Sequence, residues 1–344
     1  MRTTATGHPG AARSRGFTLV ELLVSLLITF TLLGLLIVGI RAATAGAQAQ
    51  ADEQTVTALS TARDAFRSSF GMEVPLVYDG APLASAPNAA RPAAAPSAAA
   101  PVIGSGTAAN PYRVNVFRRG EDIAFLRGKR VGTAANGAIS DARYSKFSLS
   151  YYLVGALEAD VDGVDGPGMF TPQVDGLFEG VGRTFGRPPV AHEAFVEGGT
   201  RRLRIDPEHV DQREYDEHGA GVAPATPAAA RSIAVVDAKG RAFRYYRWEP
   251  DPDFEVADDR LGNRADLNIP EVLLLVGRAE SPTDPTGGDA ELRRARSAIV
   301  GAGPNGLFGT EPEATLRDVL NDANTDLVLL RAEAARDNLV RYGS

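Results

Sequence analysis

One acidic side chain, Glu21, stands inside an apolar segment, residues 17–40, that carries no other charge. As a helix, a segment of this length would extend about 36 Å, enough to cross a hydrocarbon layer about 30 Å thick. A lone carboxylate in that setting is costly unless a positive charge pairs with it. The chemistry that Glu21 predicts is therefore an ion pair in surroundings of low dielectric constant.

A glycine-rich segment suggests a second chemistry, the binding of a dinucleotide phosphate. Residues 301–306 read Gly-Ala-Gly-Pro-Asn-Gly and follow the strand-like residues 298–300, which spells the dinucleotide-binding fingerprint. The fingerprint requires a helix directly after it, and Gly309 and Pro312 interrupt that helix. The chain after Gly301 is also too short for a complete nucleotide-binding domain. We therefore interpret this segment as a turn.

Acidic and histidine residues elsewhere could suggest a metal or acid–base site. Residues 160–166 resemble a calcium loop, but the third acid comes one position late and no glutamate lies at the required distance. His192, Glu193 and His209 have no recognisable nucleophile or third partner beside them. We interpret these residues as solvated turns and loops.

The charge balance opposes nucleic-acid binding. The chain has 43 acidic and 36 basic residues, and three of the basic ones, Arg2, Arg13 and Arg15, lie in residues 1–16. Residues 244–248 mix arginine with aromatic residues, a pattern that can stack on single-stranded nucleic acid but that strand alternation explains equally well. We expect no nucleic-acid partner. The absence of cysteine excludes disulfides and thiol chemistry.

The N-terminal residues identify the apolar segment more closely. A basic leader ends at Gly16, and residues 16–25 read GFTLVELLVS. A secretory signal peptide has a shorter apolar core, and a plain uncleaved signal anchor leaves Glu21 unexplained. The residues resemble the prepilin-type cleavage and methylation signal, so the chain resembles a type IV pilin or a type II secretion pseudopilin.

This resemblance implies a processing reaction and a partner for the carboxylate. Prepilin peptidase would cut between Gly16 and Phe17 and methylate the new terminus. Glu21 would then pair with the terminal amine of a neighbouring pilin or pseudopilin subunit and set the register of assembly. The basic leader predicts a cytoplasmic N-terminus, a single pass through the bacterial inner membrane and a periplasmic head.

The resemblance further implies a structural subunit of a type II secretion-like periplasmic pseudopilus, not an enzyme. Two alternatives stay open at this point. One is a type IV pilin subunit, and the other is a membrane-anchored ligand-binding or enzymatic domain with a pilin-like anchor.

A long helix must position the N-terminal residues. Beyond residue 40 the sequence stays favourable for helix, and Val56, Leu59, Phe66 and Phe70 fall on one face, with Arg63, Asp64 and Arg67 off it. Gly71 and Pro75 predict the end of the helix. We therefore divide the chain into a leader (1–16), a transmembrane half-helix (17–40), an amphipathic half-helix (41–71), a flexible Ala/Pro-rich loop (72–110) and a β-rich head (111–344).

Alternating apolar residues predict strands in the head at residues 112–116, 123–125 and 147–153. A hairpin is predicted from residues 233–236 to 243–248, with Asp237 first and Gly240 fourth in its turn. The fold class is therefore α+β, a long N-terminal helix packed on an antiparallel sheet, as in pilins.

Three later segments resemble pseudopilins and favour that group over pilins. Residues 236–246 resemble a hairpin motif but lack its proline and tryptophan, residues 302–310 resemble a C-terminal loop, and residues 337–340 resemble a closing loop and strand. Major pseudopilins carry a structural calcium near the C-terminus. By this resemblance Asp337 and Asn305 are candidate Ca²⁺ ligands, although Asn305 stands where the group has aspartate. No cofactor is otherwise required.

Overall fold

The structure is a computed structural model. It describes residues 19–77, 102–103, 113–114, 116, 143–155, 169–173, 190–196, 203–205, 233–248, 269–275, 292 and 294–343. By its internal contacts the chain divides into two units, Met1–Gln48 and Ala49–Ser344. Helix α1, Leu19–Phe70, contributes to both units. Three shorter helices are described in the second unit: α2 (Glu271–Leu275), α3 (Glu313–Leu320) and α4 (Leu327–Ala335).

The second unit is built on a four-stranded antiparallel sheet. Its strands β3 (Tyr144–Ser145), β8 (Arg244–Arg247), β9 (Ser297–Gly301) and β10 (Leu339–Gly343) lie in the order β10-β9-β8-β3. Three antiparallel pairs complete the described strands: β1 (Val102–Ile103) with β2 (Arg113–Val114), β4 (Met169–Phe170) with β5 (Ala191–His192), and β6 (Leu203–Ile205) with β7 (Ile233–Val235). A long helix and an antiparallel sheet confirm the predicted α+β class.

The two faces of this sheet bury different sets of side chains. Tyr245 and Ile299 lie in one hydrophobic cluster, which also contains Leu59 and Phe66 of α1. Their neighbours along the strands, Tyr246 and residues 298 and 300, lie in a second cluster with α2. This alternation follows from the pleat of a strand, which points successive side chains to opposite faces. The sheet is therefore covered by α1 on one side and by α2 on the other.

Helix α1 ends where the sequence predicts. Val56, Leu59 and Phe66 are buried, and Phe66 makes an edge-to-face contact with Phe70 at 4.7 Å between ring centroids. Gly71 adopts a φ of 66°, and its N–H donates to the carbonyl of Arg67 at 2.8 Å. A left-handed residue after the last turn is the common way to end a helix. The predicted stop at Gly71 is confirmed.

The hairpin predicted between residues 233 and 248 is confirmed at its turn, whereas its two strands continue into different sheets, β7 beside β6 and β8 between β3 and β9. The N–H of Gly240 donates to the carbonyl of Asp237 at 3.0 Å, and Gly240 has a φ of 81°. Val236 pairs with Ala242 across the turn. The left-handed conformation of Gly240 is one that glycine adopts without strain.

The strand predicted at residues 147–153 is wrong, because this segment is helical. Ser150–Val154 form a π-helical turn, and every side chain from residue 147 to 154 is buried. The serines that suggest a solvent face are internal partners instead. The Ser148 hydroxyl accepts from the N–H of Val77 at 2.9 Å, and the Ser150 hydroxyl donates to the carbonyl of Phe147 at 2.8 Å. Satisfied hydroxyls can be buried, so the alternation does not report exposure.

The strand predicted at residues 112–116 is present in part, as β2 and a bridge between Val116 and Val77. The strand predicted at 123–125, residues 160–166 and His209 lie outside the described residues. The same holds for most of the Ala/Pro-rich segment 72–110.

Candidate assembly site

The N-terminal part of α1 exposes an unusually apolar surface. Between residues 19 and 40 the large apolar side chains are from 45% to 77% exposed in the single chain. Helix α1 is long and apolar enough to cross a membrane, and no second described helix meets that condition. A contiguous apolar surface of this size requires lipid or other helices as its surroundings.

The hydroxyl groups of this segment are satisfied within the helix. Ser25 donates to the carbonyl of Leu22 at 2.9 Å, and Thr29 donates to that of Ser25 at 2.8 Å. Thr31 donates to the carbonyl of Leu27 at 2.8 Å. Because each hydroxyl has a partner on its own helix, these residues add little to the cost of a lipid environment.

Glu21 lies in the first turn of α1 and is exposed. The positive end of the helix dipole favours a carboxylate at this position. Glu21 is also the one ionisable residue between positions 19 and 40. Gly16 and Phe17, the predicted processing residues, lie outside the described part of the chain.

A comparison with protein families decides what this segment is. Residues 11–37 match the family model described as the prokaryotic N-terminal methylation motif. The chain carries the N-terminal motif of type IV pilin-like proteins. The match spans Gly16, Phe17 and Glu21, and it confirms the predicted prepilin-type resemblance. No curated protein and no solved structure shows significant similarity to the chain.

In this pilin-like chain a buried arginine fastens the second half of α1 to the C-terminal strand. Arg63 is 2% exposed, although the sequence placed it off the apolar face. Its Nη2 donates to the carbonyl of Tyr342 at 2.8 Å and to the hydroxyl of Ser60 at 3.1 Å. A side chain on Gly343 would collide with the Arg63 guanidinium. The spacing of the apolar residues did indicate that Arg63 is buried, since position 63 lies one helical turn after Leu59, in the gap before Phe66, and therefore on the buried face.

Asp52 makes a second contact between α1 and the rest of the second unit. It is 7% exposed, and its Oδ1 accepts from the N–H of Ala238 at 2.8 Å. Ala238 belongs to the turn of the confirmed hairpin. Helix α1 is therefore held both at the C-terminal strand and at this turn, and the Asp52 contact has no local sequence signature.

Arg63 also lines a surface cleft of about 400 Å³, together with Asp64, Arg67, Ser68 and Tyr342. Arg63 Nη2 and Asp64 Oδ1 are 3.0 Å apart, and Arg67 pairs with Glu73 at 3.1 Å. The charged groups that line the cleft are thus paired with neighbouring residues. Its lining contains no histidine or cysteine that could act with Ser68.

The predicted calcium ligands lie on two neighbouring loops. The Asn305 Oδ1 accepts from the N–H of Leu307 at 2.9 Å, and its Nδ2 donates to the carbonyl of Ala334 at 2.8 Å. Asp337 is near Arg336, at 3.7 Å between Oδ1 and Nε. No group of three or more His, Cys, Asp or Glu residues suited to a metal is present among the described residues. The Asn305 amide thus bonds to the backbone through both its oxygen and its nitrogen.

The remaining candidates take part in packing. The ring of His192 stacks edge-to-face on Phe70 at 4.9 Å, and a ring nitrogen lies 3.2 Å from the Thr171 hydroxyl. Residues 301–306 form the predicted turn, with the N–H of Gly306 donating to the carbonyl of Gly303 at 2.9 Å. Strand β9 before this turn is antiparallel to both of its neighbours, unlike the parallel strands of a dinucleotide-binding fold.

The basic and aromatic residues of β8 are used inside the protein. Tyr245, Tyr246 and Trp248 are at most 2% exposed, so their rings offer no face to a base. The Arg244 guanidinium lies 3.6 Å from the ring centroid of Phe308. Burial acts to lower the pKa of Arg244, but the neighbouring tyrosines and a glutamate outweigh it, so the net pKa is raised. Arg244 therefore stays charged within an aromatic stack.

Proposed function

We propose that the chain is a structural pseudopilin-like subunit that is cut and N-methylated by prepilin peptidase. Its first helix would then assemble with other subunits into a type II secretion-like periplasmic pseudopilus. The observation that carries this proposal is the methylation motif at residues 11–37, which coincides with the apolar, exposed start of α1. A helix with this surface is suited to packing against lipid and against copies of itself. In an isolated soluble subunit the same apolar surface would be exposed to water.

In the proposed fibre, Glu21 provides specificity that the apolar residues cannot provide. Leucine, isoleucine and valine side chains pack against similar helices in many registers. A buried carboxylate is tolerated in one register only, where it meets the positive terminal amine of Phe17 on the adjoining subunit. The pair therefore selects one staggered arrangement of subunits.

We place the protein in the bacterial inner membrane, with residues 1–16 in the cytoplasm and the head in the periplasm. The supporting feature is the position of three arginines immediately before the apolar segment. The choice of a pseudopilin over a pilin is supported by the pseudopilin-like residues 302–310 and 337–340. Both segments lie against each other at the end of the head, since a side chain on Gly303 would collide with the Asp337 backbone.

The proposal is tested by replacing Glu21 and measuring insertion and assembly separately. Glu21→Leu is expected to fractionate with membranes as the unmodified chain does, because removing a charge favours insertion. It is expected to be largely absent from sheared or cross-linked fibres. Ser25→Leu is the matched control, since it also makes α1 more apolar, one turn later, and leaves the carboxylate in place. Normal fibre incorporation of Glu21→Leu would refute the role of this carboxylate.

A further inference from the structure

Two cationic side chains hold the loop at residues 302–304. Arg241 Nη2 donates to the carbonyls of Ala302, at 3.2 Å, and of Gly303, at 3.0 Å. Lys239 Nζ donates to the carbonyl of Pro304 at 2.7 Å. Three successive carbonyl oxygens of the loop are therefore bound to positive charge from the hairpin turn at residues 237–241.

A buried carboxylate fixes the position of Arg241. Asp237 is 3% exposed, and its Oδ2 accepts from Arg241 Nε at 2.6 Å. Its Oδ1 accepts from the N–H groups of Lys239, at 2.8 Å, and of Arg241, at 2.9 Å. Both oxygens of the buried Asp237 carboxylate thus have donors, which is the condition for a buried charge to be stable, while Arg241 remains 23% exposed.

The loop also closes tightly around the guanidinium. Gly306 has a φ of 83°, and a side chain at this position would collide with Arg241 Nη1. Asn305, on the same turn, already bonds to the backbone through both ends of its amide. The space beside Gly306 is thus occupied by the guanidinium, and each end of the Asn305 amide bonds to a backbone group.

The groups around this loop make it a poor binding site for a calcium ion. Ca²⁺ takes about 6–8 oxygen ligands at about 2.3–2.6 Å. An ion at the carbonyls of Ala302 and Gly303 would lie against a guanidinium, at a position where like charges repel. The carbonyls of residues 302–304 therefore do not fit the metal that the pseudopilin resemblance implies for this end of the head.

We propose that Arg241, assisted by Lys239, is the cation that organises the 302–304 loop, so that this loop folds without calcium. The same turn bonds to Asp52 of α1 through the N–H of Ala238. The hairpin turn that the Arg241–Asp237 pair holds therefore contacts both the first helix and the C-terminal loop. This role concerns the folded subunit and is independent of its assembly into a fibre.

The test uses the full-length protein in detergent, with the fluorescence of Trp248, the single tryptophan, as the probe of unfolding. The Tm of the unmodified protein is expected to be the same in EGTA and in millimolar CaCl₂. Arg241→Met is expected to lower the Tm by about 5 °C in both solutions. The control is Arg317→Met, which removes a partly exposed arginine paired with Glu313 and is expected to change the Tm little.

Arg241→Lys supplies a second variant if Arg241→Met does not fold. Lysine keeps the charge but lacks the fork that reaches two carbonyls and Asp237 together, so its Tm is expected to lie between those of the unmodified protein and Arg241→Met. Two results would overturn the proposal. One is a calcium-dependent rise in the Tm of the unmodified protein that is lost in Asn305→Ala. The other is a Tm for Arg241→Lys or Arg241→Met that equals that of Arg317→Met.

Discussion

Replacing Arg63 by methionine tests how α1 is fastened to the head. The substitution keeps a long, flexible side chain with a similar helix propensity, so the helix itself is unaffected. It removes the donors to the carbonyl of Tyr342 at 2.8 Å and to the hydroxyl of Ser60 at 3.1 Å. Each hydrogen bond from a charged donor contributes about 1.5–3 kcal/mol, so we expect a loss of about 3 kcal/mol in the free energy of unfolding.

Arg67→Met is the matched control, one turn later on the same helix. Arg67 is 49% exposed and pairs with Glu73 at 3.1 Å. Because water and salt reach the Arg67 end of this pair and screen it, we expect its loss to cost about 1 kcal/mol. Both variants therefore replace arginine by methionine, and they differ in how deeply the replaced arginine is buried.

The assay is thermal unfolding of the full-length protein in detergent, followed by Trp248 fluorescence. A loss of about 3 kcal/mol corresponds to a fall in Tm of about 6 °C or more, and the control is expected to stay within about 2 °C of the unmodified protein. Equal shifts for the two variants would refute the reasoning, since they would show that the buried contacts of Arg63 with Tyr342 and Ser60 add nothing beyond an exposed pair.

The end of α1 and the sheet beneath it give two more expectations. Gly71 has a φ of 66° with open space around it, so Gly71→Ala should lower the free energy of unfolding by about 1 kcal/mol, as measured by chemical denaturation. Gly46→Ala, within the helix, should not lower this free energy. Burial raises the pKa of the Tyr245 phenol above its ordinary 10.0. The neutral phenol is thus favoured in the folded state, so its contribution to stability is complete below pH 10 and falls as the pH rises above it. Tyr245→Phe should flatten that alkaline slope, and an unchanged slope would contradict this.

The features predicted correctly from the sequence are those that depend on residues close to one another along the chain. Gly71 ends α1 because a left-handed residue is needed there, and Gly240 closes the hairpin for the same reason. The apolar run at residues 17–40 and the methylation motif are also readable without any tertiary contact. The α+β class follows from these elements, since a helix with one apolar face and a set of alternating strands must bury those faces together.

The features that the sequence did not predict depend on distant partners. Ser148 and Ser150 imitate the polar face of a strand, but their hydroxyls bond to the backbone inside the core. Arg63 reaches carbonyls about 280 positions away in the sequence, at residues 341 and 342. Arg241 holds a loop 61 and 62 positions further along. No local pattern encodes such partners, so charged residues of this kind are naturally assigned to the surface.

The chemical state of the mature N-terminus tests the central claim most directly. The protein is isolated from the membranes of its own cells, and its N-terminal peptide is analysed by mass spectrometry. The account predicts a chain that begins at Phe17 with a methylated amine and has lost residues 1–16. A chain that retains Met1 or any part of the leader would contradict it, because no terminal amine would then be available to Glu21 of the adjoining subunit.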